Sequence, residues 1–86
     1  MAAGDYSAAA RQARILADRG DAGAQALLGG LYEHGEGVPQ NCSTARHFYR
    51  LSAAQGYALA QHNLALMYGL AKGGPQDLVL AYMWAN

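Results

Sequence analysis

Cysteine is almost absent from this chain: Cys42 stands alone among 86 residues. A single thiol excludes an internal disulfide and leaves no mark of an oxidising compartment. Phe and Trp occur once each, so aromatic anchoring falls on six tyrosines, whose rings carry a polar tip. Charge of either sign is also in short supply, because six basic residues cancel six acidic ones. The basic stripe or high pI of a nucleic-acid binder is therefore missing. No apolar run approaches the roughly 18 residues of a membrane span. The opening MAAGDYSAAARQARIL lacks a charged start followed by an apolar stretch, so no signal peptide is legible and the compartment stays unassigned.

What is present is small and apolar. Of the residues 52% are hydrophobic, and Gly contributes 11 more. Small side chains suit helices packed backbone to backbone. A chain this short buries only about 60–65% of its unfolded surface, so its stability margin is thin.

Proline occurs only twice, and both copies sit in the same context, GEGVPQN at 35–41 and AKGGPQD at 71–77. A shift of 36 residues, Gln25 to Gln61, superposes the two. It also pairs Gly20 with Gly56, Leu28 with Leu64, Tyr32 with Tyr68, Gly37 with Gly73, Pro39 with Pro75 and Gln40 with Gln76. The same shift lays 4–19 onto 40–55, pairing Ser7 with Ser43 and Arg14 with Arg50. An internal repeat of this length indicates a stack of supersecondary units. The chain reads as a half unit (5–19), a whole unit (20–56) and a truncated unit (57–86), together one repeat domain over 1–86.

Each unit reads as two helices. Ala24, Leu27, Leu28, Leu31 and Tyr32 recur with helical period, and Ala60, Asn63, Leu64, Met67 and Tyr68 repeat the pattern. Both tyrosines are therefore expected in the core. The fold class is all-α: five helices near 5–19, 21–34, 42–55, 57–70 and 77–86, in antiparallel pairs stacked with one hand. Gly35 and Gly37 permit positive φ as the first helix ends. Pro39 stops that helix and biases Val38 to extended geometry. Asp5, Asp21, Asn41 and Asp77 are candidate N-caps. A phosphate-cradling reading of the glycines fails, because no strand precedes them and no Lys-Ser/Thr follows Gly37.

The segment AQALLGGLYEHGEGVPQNCSTARHFYRLSAAQG, 24–56, resembles the Sel-one-like repeat, a relative of the tetratricopeptide repeat. The resemblance rests on Ala24, Leu28, Gly29, Tyr32, Gly35, Gly37, Val38, Ala45, Ala53, Ala54 and Gly56. Ala60, Leu64, Ala65, Tyr68, Gly73, Pro75 and Ala81 carry it in the second copy. That copy departs at Ala71 and Gly74, where the family has Gly and Val, so its loop is expected to be the looser one. The resemblance implies an α-solenoid acting as a protein-interaction scaffold, with no shared catalytic constellation and no cofactor. Relatives linked to β-lactam recognition carry a disulfide-forming Cys pair in each repeat, which this chain lacks.

The polar residues make a poor catalytic set. Cys42 and His47 lie about 140° apart round a helix, and His34, His47 and His62 lack the spacing of a helical metal pair. No catalytic, metal or cofactor residues are assigned. Arg11, Arg14, Arg46 and Arg50 read as a solvated face beside Asp5, Asp18 and Asp21.

In a solenoid of helix pairs the first helices line the concave surface. On that basis Ala26, Gly30, Glu33 and His34 on one helix, with Leu59, His62, Leu66 and Leu70 on the next, are the candidate partner-binding residues for a peptide or protein segment. Two alternatives stand beside this reading. One is a ligand-binding or hydrolytic protein using His62, Glu33 and His34; the other is a structural unit that only self-associates. The segment LVLAYMWAN, 78–86, has no charged residue, and repeat arrays need polar caps. The chain is therefore expected to be part of a longer array or to form a homo-oligomer through 78–86, with Met83 and Trp84 as the exposed anchors.

Overall fold

The computed structural model describes residues 5–86. Five helices follow one another: α1 (Tyr6–Asp18), α2 (Ala22–His34), α3 (Cys42–Ala54), α4 (Ala58–Gly69) and α5 (Leu78–Ala85). Among the described residues there is no strand, and no helix is long and apolar enough to cross a membrane. Each helix packs mainly on the next in sequence, which draws the body out to 39 × 22 × 19 Å. This is the ribbon-like packing of a repeat stack, in which a unit touches only its neighbours.

The four candidate caps act as such. Asp5, Asp21, Asn41 and Asp77 accept hydrogen bonds from the backbone N–H of Ala8, Ala24, Thr44 and Leu80. These bonds satisfy donors that a helix start leaves free. The exception is α4, whose N-cap Tyr57 makes no side-chain capping bond.

The core comprises two adjoining clusters. Ala10, Ala13 and Ala17 of α1 pack with Ala24, Leu28 and Leu31 of α2 and Phe48 of α3. Ala26, Ala45, Tyr49, Ala53, Ala60, Leu64, Met67 and Tyr68 form the second, with Leu80, Ala81 and Trp84 of α5 against its edge. The close approach of α2 to α3 depends on glycine. A Cβ on Gly29 would stand 2.7 Å from the buried Tyr49 ring.

The repeated Gly-x-Pro-Gln loop now has a structural account. The Gln40 side chain donates to the Glu33 carbonyl at 2.9 Å, and Gln76 donates to the Gly69 carbonyl at 2.9 Å. Each glutamine thus satisfies a carbonyl left over at the end of a first helix. Likewise Asn41 N–H donates to Tyr32 O and Asp77 N–H to Tyr68 O, closing each loop. Gly37 and Gly73 take φ of 77° and 81°. A Cβ on either would collide with the backbone where an earlier helix starts, at Tyr6 and at Cys42. The loop is therefore both a hinge within a unit and a contact to the previous one. Gln25 and Gln61 complete the pattern by donating to Ala17 O and Ala53 O.

Four expectations need correction. Arg46 is not on a solvated face: it is buried, and its guanidinium donates to Lys72 O, Pro75 O and Met67 O at 3.0, 3.3 and 3.3 Å. It also lies 4.4 Å over the Tyr68 ring. Nor is the second loop a loose copy, because Gly74 gives up a side chain where the Arg46 guanidinium must fit: a Cβ there would be 2.7 Å from an Arg46 nitrogen. Leu27, assigned by period to the apolar stripe, is 48% exposed. Tyr32 is only partly buried, at the edge between the two clusters, with its hydroxyl taking a 2.6 Å bond from Arg14.

Candidate partner-binding surface

A cleft of about 450 Å³ runs between α2 and α4. Its floor is small because Gly23, Ala26 and Gly30 recur on one side of α2, and Leu27, Leu31, Tyr57 and Leu59 supply apolar walls. The Tyr49 hydroxyl and Asn63 bring polar groups into it, and His34 and Glu36 stand at one end. An apolar trough with a few polar groups has the general form of a binding site.

Of the residues expected on this surface, Ala26, Gly30, His34 and Leu59 line the cleft. Ala26 is buried, and His34 and Leu59 are exposed. Leu66 of α4 and Leu70 at its C-cap lie beyond it on the same side as Leu59, in line by helical geometry, and all three are exposed. His62 is exposed at the flank of that row.

Glu33 does not face the cleft as a free carboxylate. Its Oε1 accepts from the Tyr49 hydroxyl at 2.9 Å and its Oε2 from Lys72 Nζ at 2.6 Å. Burial pushes the Glu33 pKa up, but the Lys72 and Tyr49 hydrogen bonds outweigh it and hold the carboxyl below its ordinary value. The Tyr49 hydroxyl is pushed far up by burial and by the adjoining carboxylate. The Lys72 ammonium is raised by its bond to Glu33. These three groups tie α2, α3 and the second loop together. His34 Nε2 stands 3.9 Å from Glu33 Oε1, too long for a hydrogen bond.

Tyr57, Asn63, Leu27 and Tyr49 also line this cleft and are not among the expected residues. Tyr57 occupies the position that Asp21 holds one repeat earlier, so an aromatic in place of a cap was the available signal. Leu27 pairs with Asn63 under the repeat shift. A position that is apolar in one copy and polar in the other lies on a boundary face rather than in the core.

At the far end, α5 presents Leu78, Val79, Tyr82 and Met83 at 66%, 78%, 73% and 53% exposure. Met83 is open as expected. Trp84 is not: it turns inward, partly buried against the core cluster with Leu80 and Ala81.

The Sel1 repeat family model matches residues 22–57 and 58–86. The chain belongs to the Sel1 repeat family. Over 66 residues, 77% of this chain, it is 47% identical to DAP3-binding cell death enhancer 1 of Rattus norvegicus, of which that segment is 13%. Among solved structures it is similar to a Sel1 repeat protein from Oxalobacter formigenes, with TM-score 0.74 and 40% identity over 76% of this chain and 26% of that one. It is also similar to a protective antigen of uropathogenic Escherichia coli displaying an SLR fold, with TM-score 0.81 and 35% identity over 87% of this chain and 16% of that one. The chain thus spans only a small part of each relative, and it shares the helical repeat architecture with the two solved structures.

Proposed function

We propose that this chain is a non-enzymatic interaction module that holds a peptide or helical protein segment along the concave face formed by α2 and α4. One observation carries the reading: Leu59 and Leu66 of α4 and Leu70 at its C-cap are exposed on one side, and Leu59 lines a cleft with Gly23, Ala26 and Gly30. Scattered exposed leucines need no explanation, but exposed leucines aligned on one helix face and leading into a small-residue trough have the form of a helix-in-groove site. A rat relative whose name states that it binds a protein points the same way. The rival catalytic reading loses ground because both Glu33 oxygens already accept hydrogen bonds.

Selection of displayed helical peptides against the immobilised chain tests the proposal. Enriched peptides should lose at least tenfold in affinity for Leu66→Glu, since a buried charge replaces an apolar contact. Peptides that bind wild type and Leu66→Glu alike would sink it.

A second reading, self-association through α5, is favoured by one separate observation: four large apolar side chains on that helix are more than half exposed. A homo-oligomer built this way dissociates on Tyr82→Glu in sedimentation. A monomer at high protein concentration would rule it out.

A further inference from the structure

The two junctions where a glycine loop meets an earlier helix differ at two paired positions, Arg46 with Gly74 at the second and Ala10 with Val38 at the first. At the second, the Arg46 guanidinium fills the space between α3 and the loop and bonds to three carbonyls there. At the first, Ala10 stands at the position of Arg46 and Val38 at that of Gly74, with Val38 partly buried against the core cluster, and a shallow space remains at the surface. The result is a cleft of about 330 Å³ lined by Ser7, Ala10, Arg11 and Arg14 of α1 and by Gly37 and Val38 of the loop.

Two cations border this cleft without a counter-charge. The ion pairs among the described residues join Glu33 to Lys72 and to His34; no carboxylate lies within salt-bridge distance of Arg11 or Arg14. Arg11 is exposed and free, three residues from Arg14 on one helix face. Like charges at that spacing repel by a few tenths of a kcal/mol. The Arg14 guanidinium is already oriented. It donates to the Tyr32 hydroxyl at 2.6 Å and lies 5.9 and 5.3 Å over the rings of Tyr32 and Phe48. Three carboxylates are near in sequence. Asp5 is engaged in capping α1 through Ala8 N–H, Asp18, one turn beyond Arg14, is exposed and forms no ion pair with it, and Glu36 lines the other cleft, between α2 and α4. The backbone N–H groups of Gly37 and Val38 make no backbone hydrogen bond among the described residues.

From this geometry we propose that the cleft between α1 and the first glycine loop binds a phosphate-class oxyanion, held by arginine side chains and not by a glycine-loop cradle between strand and helix. Two guanidinium groups offer forked donors that match a tetrahedral dianion, and the Ser7 hydroxyl is a third donor from the cleft wall. The stacked Arg14 loses little side-chain freedom on binding. A dianion also relieves the repulsion between the two arginines. The site is separate from the α2/α4 surface, so a bound partner and a bound anion are compatible.

The test uses the whole chain and follows the Arg side-chain and backbone N–H resonances while sodium phosphate replaces sodium chloride at constant ionic strength. The expected result is a saturable shift at Arg11, Arg14, Gly37 and Val38, with Arg19 and Arg50 unaffected. Arg11→Gln, at an exposed position outside both core clusters, should weaken binding at least tenfold while leaving the melting temperature in chloride unchanged. A parallel titration with N-acetyl phosphoserine amide separates the two sources of the group. Tighter binding of the amide identifies a phosphorylated side chain, and tighter binding of the free ion identifies inorganic phosphate. Shifts that fail to saturate, that spread equally to Arg19 and Arg50, or that survive Arg11→Gln unchanged would overturn the proposal.

Discussion

Ala71 has φ of 57°, alone among the described non-glycine residues in taking a positive value. It stands where Gly35, with φ of 69°, ends the equivalent helix one repeat earlier. The left-handed region costs an L-residue about 1–2 kcal/mol, and part of that is returned by glycine's greater unfolded-state freedom. Ala71→Gly should therefore raise stability by about 0.5–1 kcal/mol in urea denaturation. The reverse change, Gly35→Ala, should lower it by about 1 kcal/mol or more, because its Cβ would also meet that of Gln40 at 3.0 Å. Arg46 makes a larger claim. Arg46→Met should cost about 2–4 kcal/mol by removing charge-assisted bonds to two loop carbonyls and one at the end of α4. Arg46→Lys should rescue little of this, since an ammonium lacks the fork that spans them. The same unfolding curves measure both. Sequence placed Ala71 correctly as a departure from its own repeat, but it misread Arg46. The compensation lies between Arg46 and Gly74, distant in sequence and both unlike their counterparts Ala10 and Val38. One chain compared with itself shows each departure singly and not their contact.

At the scale of elements, the helix set and its caps were legible because both obey local rules. Helical period and a capping side chain are set by residues within a turn of each other. The helix faces were harder to read. A stripe five residues wide covers more than the buried arc, so Leu27 was drawn into the core when it lines the cleft. Tyr49 and Glu33 were not paired in advance, since they lie on different helices and meet only after α2 packs on α3. Their contact with Lys72 links three elements and yields a pH dependence with a definite sign. The Glu33 carboxyl is held below its ordinary value by Lys72 and Tyr49 against the effect of burial. Stability from this group is thus fully present above the unfolded glutamate pKa near 4.3. It is lost as pH falls through the lower folded value. Glu33→Gln should be less stable than wild type at neutral pH, and the gap should close as the pH drops below about 4. A gap of constant size across thermal melts from pH 7 to 3 would contradict the assignment. Gly29→Ala belongs to the same interface. Its Cβ would stand 2.7 Å from the Tyr49 ring, and overpacking of this kind costs about 1–3 kcal/mol.

For the whole molecule, the repeat itself supplies the logic. Loop, glutamine and cap recur at a fixed interval, each first helix packs on the second helix of the unit before, and a cleft opens between α2 and α4. The architecture follows from a self-comparison of the chain, while the partner does not, because a groove of leucines and glycines fixes shape and polarity but no single ligand. The central claim is that this face, rather than the arginine-bearing faces of α1 and α3 or the exposed side of α5, receives the partner. Backbone amide shift mapping with a selected helical peptide tests it most directly. The account predicts that the largest changes fall on Gly30, His34, Leu59, His62, Leu66 and Leu70, and that they vanish in Leu66→Glu. Changes concentrated on α1 and α3, or on Leu78, Val79 and Tyr82, would contradict it.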